Sequence, residues 1–158
     1  MFTIPQNGWA DITWDGNNLG RISGIDDVPC MILDALIQYF TAGNKLPFGV
    51  AFDAEGWDVG FTEVAEELYF FDTKTNGDIP NFVNLSAAAH CSGNECIRKM
   101  ADELILDFEA SLDDWAAFSV FYYEEKEQKE AVRKNKRTLQ GKIKKLKRLL
   151  NEYRRKNS

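Results

Sequence analysis

The apolar positions of this chain change period along its length. From Trp9 to Trp14 they alternate, with Ile12 and Trp14 on one side. Asp15-Gly16-Asn17-Asn18 follows as turn chemistry, since Gly and Asn tolerate positive φ. Leu19 to Ser23 returns as a second strand, so this stretch predicts a hairpin. Asp26-Asp27-Val28-Pro29 then opens a helix, because proline fits the first turn and the acidic pair faces the positive end of the helix dipole. Val28, Met31, Ile32, Ala35, Leu36, Tyr39 and Phe40 recur at helical spacing, and Gly43-Asn44 ends the run.

Period two resumes at Pro47. Pro47 to Asp53, Trp57 to Val64, Glu67 to Asp72 and Phe82 to Leu85 read as four strands, the third ended by Thr75-Asn76-Gly77-Asp78. Connections this short predict an antiparallel meander. Phe70 and Phe71 point to opposite faces of one strand, so at least one is covered by a second layer or lies exposed. Ser92-Gly93-Asn94-Glu95 is a full capping box ahead of Ile97, Met100, Ala101, Leu104, Ile105 and Phe108 at helical spacing. The fold class expected is α+β: an antiparallel meander of about four to six short strands covered by helices.

The last third reads as one long helix, capped by Ser111-Leu112-Asp113-Asp114. Its first turns, Leu112 to Tyr123, are apolar nearly all round, the pattern of a buried helix. No proline occurs from Asn81 onward, and Gly141 is the one weak point. Continuous to Lys156, the element would run about 68 Å at ~1.5 Å per residue. A body of the preceding length has a radius of gyration of about 14 Å, so the second half projects, folds back or lies along a partner. Leu139, Ile143, Leu146, Leu150 and Tyr153 form a seam at heptad spacing, with Val132 before it and Lys129 and Lys136 at core-type positions.

Charge divides the chain at the same place. Residues 1–125 hold five basic against 22 acidic residues, and residues 126–158 hold 14 basic against three acidic. We therefore expect an acidic globular domain over 1–125 and a basic helical extension over 126–158, continuous with helix 112–125. The tail's excess of cations suggests an anionic contact: nucleic acid, a partner's acidic face or this protein's own body. Phosphate contacts would come from Lys142, Lys144, Lys145, Lys147 and Arg148.

With 44% hydrophobic and 13% aromatic residues the chain is not disordered by composition. No apolar run is long enough to span a membrane. Met1 to Asn7 lacks the basic start and apolar stretch of a signal peptide. Three cysteines, an odd number, make no disulfide framework, so the expectation is a cytoplasmic protein with reduced thiols.

Candidate chemistry is sparse. His90, Cys91 and Cys96 form the nearest approach to a metal cluster, but a Cys-x4-Cys pair with one adjacent His falls short of a zinc site, and a neighbouring Cys and His seldom meet as nucleophile and base. Asp53, Glu55 and Asp58 flank one hairpin tip and read more simply as solvated turn carboxylates than as an acid-base pair. No phosphate loop, dinucleotide fingerprint or Ser-centred elbow is present. The reading is non-enzymatic, with no cofactor. An exposed Trp57 ringed by Asp53, Glu55 and Asp58 would make a protein-binding anchor. The leading expectation is a protein-binding module, an inhibitor or immunity-type protein of bacterial or phage origin. Its acidic domain would engage a basic, nucleic-acid-processing target. The alternatives are a nucleic-acid-binding accessory protein that uses the basic helix, and a homodimer paired along the 139–153 seam.

Overall fold

The structure, a computed structural model, describes residues 1–74, 79–120 and 124–156. Eleven elements follow one another: β1 (Trp9–Trp14), β2 (Asn17–Ser23), α1 (Val28–Thr41), β3 (Gly49–Asp53), β4 (Asp58–Val64), β5 (Glu67–Asp72), β6 (Asn81–Asn84), α2 (Leu85–Ala89), α3 (Gly93–Ala110), α4 (Leu112–Phe118) and α5 (Glu125–Lys156). The class is α+β, as the hydrophobic pattern predicts. A two-stranded sheet, β1-β2, accompanies a four-stranded antiparallel sheet in the order β3-β4-β5-β6. The turn assigned to 75–78 lies outside the described residues.

Local chemistry accounts for most of these elements. Asp15 and Gly16 both take positive φ, the conformation of a two-residue hairpin turn. Ala10, Ile12 and Trp14 then point into the core from β1. Asp27 caps α1 by accepting from Cys30 N, with Pro29 in the first turn. Ser92 Oγ accepts from Glu95 N while the Glu95 carboxylate accepts from Ser92 N at 3.0 Å, completing the capping box of α3. The strand expected over Phe82 to Leu85 is shorter, because Asn84 accepts from Ala87 N and starts the small helix α2 at Leu85.

Alternate residues of the four-stranded sheet, Phe52, Val59, Phe61, Leu68 and Phe70, are buried against α1, α2 and α3. A second helical layer lies beyond: α5 runs along α1, α3 and α4.

The single helix expected from Leu112 to Lys156 is two helices. α4 ends at Phe118, and Ser119 and Val120 turn away before α5 begins at Glu125. The packing of its buried residues, Trp115, Ala116 and Phe118, is the reason. Trp115 is buried against Phe2, Phe108 and Phe118, at ring-centroid distances of 5.6, 5.0 and 5.3 Å. A helix anchored this way cannot also run on as a straight amphipathic rod without carrying its seam into water. The end of α4 is pressed onto Gly24, where a Cβ would stand 2.3 Å from the Phe118 carbonyl oxygen. After the turn α5 doubles back. Leu139, Ile143, Leu146 and Leu150 are at most 3% exposed and join the common core. Tyr153 meets Phe40 edge to face at 5.6 Å.

Candidate interaction surfaces

The β3-β4 tip holds the four residues singled out as a partner-binding patch. Asp53, Glu55 and Asp58 are exposed and Trp57 is half-buried. Several of these groups are engaged in building the tip. Asp53 Oδ1 accepts from Gly56 N at 3.1 Å, and Asp26 accepts from Asp53 N at 2.7 Å. Glu55 Oε1 accepts from Ser23 Oγ at 2.9 Å. Trp57 is not a lone anchor: it stacks on Trp9 at 6.2 Å, and the Lys74 ammonium lies 4.2 Å from its ring centroid. That stack joins the two sheets through residues far apart in sequence, which local pattern cannot reveal.

An apolar face lies on the same sheet. Strand parity places Ala51, Gly60, Val64, Tyr69, Phe71 and Phe82 on the face opposite the helices. Gly60 has a steric reason: a Cβ there would lie 2.1 Å from the Val50 carbonyl oxygen and 2.8 Å from Phe71 Cζ. The bare backbone lets the Phe71 ring lie across the strand. Phe82 packs 6.2 Å from Phe71 and 6.4 Å from Tyr69. Phe82 is nevertheless 54% exposed, and Val64 55%. Phe70, by contrast, is buried, which answers the question posed by the Phe70-Phe71 pair.

Carboxylates rim this face. The same parity puts Asp53 and Asp58 at one end and Glu67 at the other. Glu67 Oε2 accepts from Tyr69 OH at 2.7 Å and from Asn84 Nδ2 at 2.9 Å, which fixes the phenol. The hydrogen bond to Glu67 pushes the Tyr69 hydroxyl's pKa upward, followed by smaller contributions from burial and the carboxylate's charge. Residues 46–91 contain eight acidic residues against one basic residue, Lys74. Sequence reasoning named Trp57 and missed Phe82. The available signal was an aromatic residue on a strand beside Phe71, with nothing in the chain assigned to cover it.

The seam on α5 is occupied within the chain, so Leu139, Ile143, Leu146, Leu150 and Tyr153 offer no free face for pairing two copies. The proposed phosphate contacts separate into two kinds. Lys142 pairs with Asp34, and Lys147 with Glu109 at 2.7 Å, so these two face the body. Lys144 and Lys145 are exposed, as is Arg148, which meets Glu152 of its own helix at 3.7 Å.

Cys91 and Cys96 form a disulfide, contrary to the expectation of reduced thiols. His90 ends α2 in the left-handed conformation, with φ 51° and ψ 42°, and reverses the chain. The two Cα atoms then stand 6.2 Å apart, within disulfide reach. Neither sulfur is available as a thiolate, so the metal and nucleophile readings of His90, Cys91 and Cys96 do not apply to this state. Among the described residues, no three His, Cys, Asp or Glu side chains are placed to hold a metal ion. Cys30 remains free and half-buried. Burial, then the charge of Asp27 and its hydrogen bond, push its thiol up to about 12, which keeps it protonated at neutral pH.

Among the described residues, no helix is long and apolar enough to cross a membrane. No family model, curated protein or solved structure matches this chain.

Proposed function

We propose that this chain is a non-enzymatic protein-binding module that engages a basic protein surface through the uncovered face of its four-stranded sheet. One observation carries the reading: an aromatic face on which exposed Phe82 packs beside half-buried Phe71 and Tyr69, rimmed by Asp53, Asp58 and Glu67. An apolar centre with a charged rim is the anatomy of a specific interface. Aromatic residues supply burial on docking, and the acidic rim steers and orients a cationic partner. A basic groove that handles nucleic acid is such a partner. Covering that groove is how an inhibitor or immunity-type protein would act on it.

The test uses full-length protein immobilised and exposed to a lysate of its own source cells, with salt elution. A basic protein should be retained and released by salt. It should be lost from the double variant Phe82→Lys/Asp58→Lys. It should be kept by Arg137→Glu/Lys144→Glu, which alters the opposite side. Retention unchanged by the sheet-face variant would overturn the reading.

A further inference from the structure

The outer face of α5 carries a second surface, independent of the sheet. The helix turns about 100° per residue, so the ten cations from Arg133 to Arg154, of fourteen on α5, fall into two sets once the seam is set against the body. Lys136, Lys142, Lys147 and Arg154 lie at the flanks, where each reaches a carboxylate: Asp113, Asp34, Glu109 and Asp102 respectively. Arg133, Lys134, Arg137, Lys144, Lys145 and Arg148 lie on the far side and are exposed. Among the described residues the first five of these make no ion pair, and Arg148 makes only the exposed contact with Glu152. Gly141 lies on the same far side, between the two groups of three, with nothing within 4 Å of where its Cβ would be.

We propose that this ridge binds the phosphodiester backbone of double-stranded nucleic acid without reading its sequence. Six cations spread over roughly 22 Å of helix match a polymer that carries about one negative charge per 1.7 Å of duplex axis. The six residues include no aromatic ring on which an unpaired base would stack, so a duplex suits them better than a single strand. A lipid surface is disfavoured for a different reason. An interfacial helix must lay its apolar face into the bilayer, and the apolar face of α5 is already buried in the core. The acidic sheet does not oppose the contact. α1 and α3 stand between it and α5, and two packed layers amount to about 20 Å, roughly two screening lengths at 0.1 M salt. On α5 itself Glu127, Glu130 and Glu152 share this outer face, three carboxylates against the six cations. The carboxylates of the body that lie nearest α5 are paired with the flanking cations.

The experiment is fluorescence anisotropy of a labelled 20-base-pair DNA duplex of arbitrary sequence, titrated with full-length protein over a salt series. With about five phosphates engaged, affinity should fall roughly 500-fold between 50 and 200 mM salt. A second duplex of unrelated sequence should bind within about threefold of the first. Lys144→Gln/Lys145→Gln/Arg148→Gln should abolish most binding and reduce the salt slope by about 2.7. Lys142→Gln/Lys147→Gln, which alters the flanks and leaves the ridge intact, should bind within a few-fold of wild type. Circular dichroism of both variants confirms that α5 is retained. Three results would overturn the proposal: no binding at 50 mM salt, binding unaffected by the ridge variant, or binding to phosphatidylserine vesicles but not to the duplex.

Discussion

Asn135 of α5 donates through its amide to the carbonyl oxygen of Ala116 in α4, 3.2 Å away. That carbonyl belongs to the last turn of α4, where no further helical amide follows to satisfy it. The returning helix therefore supplies the hydrogen bond that the end of α4 leaves unmade, and Asn135 ties the two helices together. Replacing Asn135 with Ala should cost about 1 kcal/mol, a fall of roughly 2–4 °C in Tm for a chain of this size. Asn135→Asp preserves shape but cannot donate, so it should be at least as destabilising. A Tm equal to wild type in Asn135→Asp would show that the amide contributes no hydrogen bond there.

The seam of α5 is core, and its energetics should be those of core. Leu146 is 0% exposed, so Leu146→Ala should lose about 2–5 kcal/mol in urea denaturation. Leu106, on the outer side of α3, is 66% exposed, and Leu106→Ala should change stability by less than about 0.5 kcal/mol. Because the seam is covered, light scattering at tens of micromolar should return a monomer. A dimer lost on Leu146→Ala would contradict the intramolecular packing of α5.

How much of this was legible depends on whether the determining contact is local. The helix start at Asp26-Asp27-Val28-Pro29, the Ser92-Glu95 box and the alternation in β4 are written in residues a few positions apart, and a sequence reader recovers them. The end of α4 is not written that way. Ser119 is no helix breaker, and the apolar run around Trp115 looks like uninterrupted helix. What stops it is Gly24 beneath Phe118 and Asn135 returning to Ala116, both distant in sequence. The charge split was visible, but whether the basic helix projected or folded back depended on where the seam landed. The sheet face was half legible: strand parity at Phe71 raised the question of an exposed aromatic, and only the pairing of β5 with β6 brought Phe82 beside it.

The Cys91–Cys96 bridge closes a short loop between α2 and α3. On the chain-entropy account such a loop contributes about 2 kcal/mol. Reductant should lower Tm by roughly 4–8 °C, and Cys91→Ser should lower it similarly while removing the response to reductant. A thermal transition indifferent to reductant would mean that the bridge does not constrain the fold.

Cys30 gives a pH dependence of defined sign. Its thiol is raised from 9.0 to about 12, chiefly by burial and then by Asp27. The folded state thus favours the neutral thiol. Its contribution to stability is complete below the ordinary value of 9.0 and is lost as pH rises toward about 12. Urea midpoints should fall over that window in wild type, and less steeply in Cys30→Ala. At pH 8 a thiol reagent should label Cys30 slowly in the folded protein and rapidly in urea. Rapid labelling without denaturant would show that the thiol is neither shielded nor raised.

Gly141 separates stability from binding on the outer face of α5. It occupies an interior helical position with no positive φ and no neighbour that excludes a side chain. Nothing in the packing requires glycine there, and glycine leaves the unfolded chain more freedom than alanine does. Gly141→Ala should therefore stabilise the protein by about 0.5–1 kcal/mol, read as a raised urea midpoint with unchanged m-value. The substitution leaves every cation of the ridge in place, so affinity for the duplex should stay within about twofold of wild type. A stabilised variant whose duplex affinity fell tenfold would show that the bare backbone between Arg137 and Lys144 is itself approached by the phosphate chain. A variant less stable than wild type would mean that α5 is not regular helix at this position.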